Sequence, residues 1–375
     1  MYAIALLQGM VFYGPVATLY RQAQGVTIFQ ITVIESISLA LCLLLEIPWG
    51  IVADRIGYRR TMIFCCILYF LSKLVFWRAA GFAAFLLERV MLSVVIAGLS
   101  GVDTSILWLS CEKGESQRAF GIYNSLQTAG LLFAALVYSA VIGSRYRLAG
   151  LLTVISYGTA ALLSLGLKEV RPERIRVFRP EELLMLLRRV LSDKSLLLLL
   201  VGTAFFSEAH QTVTVFLNQP QYVRCGLNTS AIGYLYLAAT LAGTCGVFSS
   251  RLMRKAGVPR MAGLLFAAAA LACVALALTG SAWLSAVGIL TLRVSFSLFQ
   301  PMQTELQNRL VTVQDRATAL SVNAMTMDCV GVGTNVVFGA LAERSLPLSF
   351  LFGAALCLAG GVLFALWFRI QKRKA

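Results

Sequence analysis

"GIVADRIGYRR", residues 50–60, sets an Asp and three Arg among apolar residues, directly between two long apolar runs. A phosphate-binding loop at this place requires a strand before it and a helix opening on G-K-[ST] after it. Neither is present. A nucleic-acid patch requires a soluble face to present it. The third reading is a polar turn at a membrane surface, and the flanking sequence decides for it.

The 375-residue chain is 59% hydrophobic and 13% charged, with a mean hydropathy of +0.80. Soluble domains carry roughly a quarter charged residues, so most of this chain is expected in lipid. The net charge of +15 does not mark a nucleic-acid partner. Runs such as "LLLLLVGTAFF" and "MAGLLFAAAALACVALALTG" hold no charge, and Lys and Arg gather at their ends, as membrane insertion requires. The nine Cys have no zinc-type spacing and are read as small hydrophobes within spans. Neither a metal nor another cofactor is expected. No basic segment precedes the first apolar run, so no cleavable leader is expected.

Twelve segments reach the roughly 20 residues a crossing needs: 3–20, 28–52, 61–79, 82–108, 118–142, 148–167, 195–217, 230–250, 261–279, 282–302, 317–341 and 347–368. A charged linker, 168–194, separates six from six, giving an N-terminal bundle 1–167 and a C-terminal bundle 195–375. Its "RPEELLMLLRRV" piece has the spacing of a short amphipathic surface helix. Twelve crossings put both termini on one side. That side carries 23 of the 32 Lys and Arg, against six on the other, so both termini and the linker are expected in the cytoplasm.

The halves repeat. "DRIGYRRT" after span 2 matches "RKAGVPRM" after span 8, with Gly57 and Gly257 in register; "QRAFGIYNS" matches "DRATALSVN", aligning Arg118 with Arg316; Arg89 matches Arg293. Parallel six-helix repeats pack about a pseudo-two-fold axis along the membrane normal. Twelve spans, two halves and the loop 2–3 pattern G-x-L-a-D-R-x-G-R-K, here Gly50, Asp54, Arg55, Gly57 and Arg59 with Val52 and Tyr58 departing, resemble the major facilitator superfamily of secondary transporters. "DRATALS" and "EIPWGIVAD" strengthen the likeness. It implies an all-α fold of two six-helix bundles working by alternating access, without enzymatic activity.

Gly57 permits a tight turn at positive φ. An Asp54 carboxylate suits the open N-terminus of a neighbouring helix, which the resemblance identifies as span 11, starting near Ala317. The resemblance also pairs Arg59 with Asp103 and makes the cluster Gly50, Asp54, Arg55, Gly57, Arg59 and Asp103 a conformational latch. The competing reading is a set of solvated positive-inside charges.

Ionisable groups within spans mark function by default. Glu35, Lys73, Glu88 and Arg89 lie about 10 Å below the outer surface at 1.5 Å per residue. A Lys73–Glu88 or Glu35–Arg89 pair neutralises them, as a structural cluster or as a cavity wall. Glu208 and Asp328 lie near the middle of spans 7 and 11 and are the leading proton-coupling candidates, with Glu46 and Glu35 behind them; lining the cavity without titrating is the alternative. His210 points away from Glu208, about 200° round the helix, and reads as a bystander; Gln211 and Thr212 share the Glu208 face. Arg293 attracts an anionic group or pairs with Glu208 or Asp328. Tyr13, Asn124, Gln127, Gln211, Tyr236, Arg293, Gln300 and Asn323 are the cavity candidates.

Span 5 lacks the G-x-x-x-G-P-x-x-G-G pattern of drug:proton antiporters in this superfamily. Proton coupling is therefore read from the carboxylates alone. The expectation is a monomeric plasma-membrane protein that exports a small amphipathic or hydrophobic molecule against protons, with membrane lipid as its other partner. Uptake of a small solute and a non-transporting receptor stay open. An enzyme has no supporting motif.

Overall fold

Backbone amides in lipid must be satisfied within their own segment, so apolar runs of this length fold as helices. The computed structural model describes residues 1–111, 115–170, 188, 190, 192–310 and 316–374, without the side chains of 47, 50, 51, 54, 316–319 and 374. It contains twelve helices long and apolar enough to cross a membrane. In the first half these are α1 Tyr2–Ala23, α2 Ile28–Ile56, α3 Tyr58–Arg78, α4 Gly81–Ser110, α5 Ser116–Ile142 and α6 Tyr146–Ser164. In the second they are α7 Lys194–Arg224, α8 Thr229–Ala256, α9 Val258–Leu278, α10 Ala282–Leu310, α11 Arg316–Arg344 and α12 Leu346–Lys374. There is no strand among the described residues. Each expected span is found, most of them a few residues longer than hydropathy indicates. The expected surface helix at 179–190 lies almost wholly outside the described residues.

Local chemistry sets the ends. Thr27 caps α2: its hydroxyl accepts from Gln30 N at 3.2 Å, and the Gln30 amide accepts from Thr27 N at 3.0 Å, a reciprocal capping box. Asp193 caps α7 by accepting from the amides of Ser195 and Leu196. Gly57 alone joins α2 to α3 at φ 98°, ψ 146°, and Gly257 alone joins α8 to α9 at φ 77°, ψ 151°. The two aligned glycines thus adopt one backbone conformation, open in practice only to glycine.

Several helices are irregular, among them α1 and α7. α1 loses helical bonding between Gly9 and Gly14, just before Pro15. The amide of Phe12 then donates to Thr153 of α6 at 3.0 Å, while Ser156 and Tyr157 donate to the carbonyls of Leu7 and Gln8. α7 widens to a π-helical turn over Thr212–Leu217, ahead of Pro220. Proline removes a helical donor and crowds the preceding turn, and single π turns are frequent at functional sites.

The chain forms two compact units. The first comprises Met1–Gln30, Ile37–Phe178 and Thr229–Leu237; the second comprises Ile31–Ser36, Arg179–Asn228 and Ala238–Ala375. In the first, α1 meets α5 so closely that a Cβ on Gly130 collides with the carbonyl of Leu6. In the second, α7 meets α12 at Gly202 and Gly360, where a Cβ on Gly360 comes within 2.6 Å of the Gly202 carbonyl. Small residues at such crossings let backbones approach without hydrophobic drive. Cys65, Cys66, Cys273 and Cys357 are buried, and all nine thiols are free.

Candidate functional site

The π turn of α7 follows directly on a buried carboxylate. Glu208 is 9% exposed, and its Oε2 accepts from the Asn335 amide at 3.3 Å, while Asn335 Oδ1 accepts from the Thr212 hydroxyl at 2.9 Å. Glu208 and Thr212 share a helix face, as their spacing requires, and Asn335 joins them. On α11, Asp328, Gly331 and Asn335 recur at helical spacing. Gly331 supplies the room: a Cβ there falls 2.9 Å from the Glu208 carboxyl carbon. Glu35 is buried, and its segment belongs to the same compact unit as Glu208.

On the other side of α7, the His210 ring stacks on Phe296, centroids 4.1 Å apart and 10° between planes. Its Nε2 lies 3.2 Å from Arg293 Nη1 and 3.3 Å from the Thr214 hydroxyl. A guanidinium only donates, so Nε2 accepts and the ring proton resides on Nδ1. This contact gives the buried His210 its hydrogen-bond partners and gives Arg293 a partner that the sequence did not suggest. Gly243 makes space for the guanidinium, whose Nη2 lies 3.0 Å from the position of a Cβ.

The first unit holds its own charge cluster. The Lys73 ammonium lies 3.5 Å from Glu88 and Arg21 lies 3.8 Å from it, all three buried. Lys73 also faces the rings of Tyr13, Tyr69 and Tyr157 at 5.0–5.7 Å. The Lys73–Glu88 pair is one of the two that depth suggested. Arg21 escaped sequence reasoning because the first span was ended at residue 20, whereas α1 continues to Ala23. Tyr13 lies in the irregular part of α1 and stacks on Phe76 at 3.9 Å.

Of the expected latch, Gly57 adopts the positive-φ turn and Arg55 is exposed. The side chains of Gly50 and Asp54 lie outside the described residues, and α11 starts at Arg316. Arg59 does not pair with Asp103. Its Nε and Nη2 donate to the carbonyls of Leu167 and Leu165 at 2.5 and 3.0 Å. The end of α6 leaves those carbonyls open, and a cation there opposes the negative end of the helix dipole. Asp103 instead accepts from Thr104 N at 2.7 Å and from the Tyr123 hydroxyl at 3.4 Å.

The cavity candidates separate by burial. Asn124, Gln127, Gln211 and Gln300 are exposed from the helices, and Glu46 and Tyr236 are half-buried. The Tyr236 hydroxyl lies 3.4 Å from the position of a Cβ on Gly14. Asn323 is 1% exposed, with its amide nitrogen unpartnered. One turn along α11, the Met327 sulfur accepts from Gln303 and Gln307 at 3.5 and 3.3 Å. Asn335, Thr212 and Arg21 complete the polar machinery without having been singled out as site residues.

The sequence profile of the Major Facilitator Superfamily matches residues 1–334. No curated protein sequence gives a match. Among solved structures, a bacterial homolog to the human lysosomal transporter Spinster is 18% identical, with a TM-score of 0.74 over 98% of this chain and 93% of that one. The nucleoside transporter NupG is 15% identical, with a TM-score of 0.79 over 98% of both chains. A D-xylose-proton symporter is 12% identical, with a TM-score of 0.71 over 95% of both. With twelve membrane-length helices and this match over most of its length, the chain belongs to the Major Facilitator Superfamily, as a multi-pass membrane protein with the fold of a transporter.

Proposed function

We propose that this protein exports a small amphipathic or hydrophobic molecule in exchange for protons, by alternating access of its two halves, 1–167 and 195–375, in the plasma membrane. The observation that carries the reading is Glu208, a buried carboxylate beside the π turn of α7, bonded by Asn335, with Asp328 at helical spacing from Asn335 on α11. A group so placed takes up a proton in one state and releases it when its surroundings change. Gly50, Asp54, Arg55, Gly57 and Arg59 act as the latch, with Arg59 docked on the end of α6 rather than on Asp103 in the described arrangement. Proton-driven uptake is the second reading, favoured by the likeness in fold to a D-xylose-proton symporter; the same carboxylate serves either direction.

The test is flux in proteoliposomes under an imposed pH gradient, with a panel of amphipathic compounds and small solutes. Wild type is expected to move protons with substrate, and Glu208→Gln and Asp328→Asn to lose at least tenfold of the coupled proton flux. Undiminished proton movement in both variants overturns the coupling assignment. The gradient polarity that drives substrate separates export from uptake, and an absence of flux across the panel favours a receptor.

A further inference from the structure

We propose that the groove between α8 and α10, beside the Gly257 turn, binds one anionic phospholipid. The groove encloses about 620 Å³. Phe248 and Leu252 of α8 and Val294 and Leu298 of α10 give it apolar walls, and Arg251, Arg254 and Lys255, in the last turns of α8, line it as well. All three cations are exposed, and none forms an ion pair among the described residues. Their i, i+3, i+4 spacing puts them on one helix face.

Hydrogen bonds tie the two helices of the groove together. The tight segment Gly243–Phe248 is tied to α10 by Ser297, which donates to the Gly243 carbonyl and accepts from the Gly246 amide at 3.0 Å. Ser249 donates to the Leu298 carbonyl at 2.7 Å. A preformed groove loses little entropy on filling.

The internal repeat shows what is left open at this end. At Gly57 the Glu169 carboxylate lies 3.0 Å from the position of a Cβ, so the chain's own anion covers the first turn. At Gly257, in the same backbone conformation, nothing among the described residues lies within 4 Å of that position. The "RLMRKAGVPR" loop has no acidic residue, whereas its counterpart has Asp54. An anion supplied from outside answers the cations. A soluble polyanion leaves the Phe248 and Leu252 walls wet, and a neutral lipid leaves the charges unanswered. A phosphate headgroup with an attached acyl chain satisfies both, in the way basic pockets between membrane helices recognise anionic lipid.

Native mass spectrometry of the purified full-length protein tests the proposal, using equimolar phosphatidylglycerol and phosphatidylcholine in mixed micelles. Wild type is expected to retain one phosphatidylglycerol, at least fivefold over phosphatidylcholine. The variant R251Q/R254Q/K255Q is expected to lose at least tenfold of that retention. The charge-matched control R369Q/K372Q/R373Q is expected to change it less than twofold. Val294→Trp, which fills the groove and keeps every charge, is expected to lower retention as the triple variant does. No headgroup preference in wild type, equal loss in the control, or full retention in Val294→Trp overturns the proposal. A photoactivatable phosphatidylglycerol on wild type supplies a readout independent of variant folding: adducts at Phe248 or Leu252 support the site, and adducts confined to other helices overturn it.

Discussion

Glu88 is 1% exposed and faces two cations, Lys73 and Arg21. Removing one member of such a cluster strands the others without water, at a cost of about 3–5 kcal/mol. Glu88→Ala is therefore expected to lower the thermal midpoint in detergent far more than Lys73→Met, because Arg21 still neutralises Glu88 in the second variant. A double-mutant cycle should return a coupling energy of about 0.5–3 kcal/mol; additive effects would show that the pair is not coupled. At Glu208 the controlling contact is steric. Gly331→Val drives a methyl group into the carboxylate and breaks the Asn335 bond, so coupled proton flux is expected to fall at least tenfold while folded yield is kept. Gly333→Val, where nothing lies within 4 Å of the added Cβ, is expected to transport normally. Equal behaviour of the two glycine variants would remove the steric argument. Depth along the sequence offered Lys73 with Glu88 as one of two pairs. It did not find Asn335 as the partner of Glu208, because that contact depends on the rotation of α11 against α7, which hydropathy does not encode.

The glycine turns and the irregular helices belong to the scale of elements. Gly57 and Gly257 hold the same positive-φ conformation, so alanine at either position costs about 1–3 kcal/mol of backbone strain. Only at Gly57 does the new Cβ also meet a side chain, Glu169 at 3.0 Å. Gly57→Ala is thus expected to destabilise more than Gly257→Ala in thermal unfolding, and Glu169→Ala should recover part of the difference in the first background and none in the second. Equal losses, indifferent to Glu169, would mean that the carboxylate is not packed on the turn. The turns were legible because glycine is among the few residues that announce a backbone angle, and the repeat supplied two copies. The lapse in α1 and the π turn in α7 were not read, although Pro15 and Pro220 stand beside them. Apolar composition runs unbroken through both, and hydropathy alone counts them as continuous spans. Arg59 was misassigned for a related reason: the end of α6, with its open carbonyls at Leu165 and Leu167, is closer than the carboxylate its motif suggests.

At the scale of the whole molecule, the twelve crossings follow from run length, and their direction rests on counting charge. Lys and Arg number 23 on one side and six on the other, an asymmetry large enough to orient the chain during insertion. Reporter fusions in a bacterial host check it. Alkaline phosphatase joined after Gly226 or Gly280, the turns that follow α7 and α9, is expected to be active because it is exported; joined after Gly257 or at the C-terminus it is expected to be inactive, and a fluorescent protein there to be bright. The Gly257 fusion decides most, since α8 delivers Arg251, Arg254 and Lys255 to that end. Phosphatase activity after Gly257 would place those cations in the outer leaflet and turn the Gly57 loop outward with them. In that event a latch on the cytoplasmic face and a groove filled from the anionic inner leaflet fail together, whereas the Glu208–Asn335 contact within the membrane is untouched. A cytoplasmic Gly257 leaves all three proposals standing on one orientation, with charge neutralisation near the midplane and anion recognition at the inner surface assigned to different elements of the same chain.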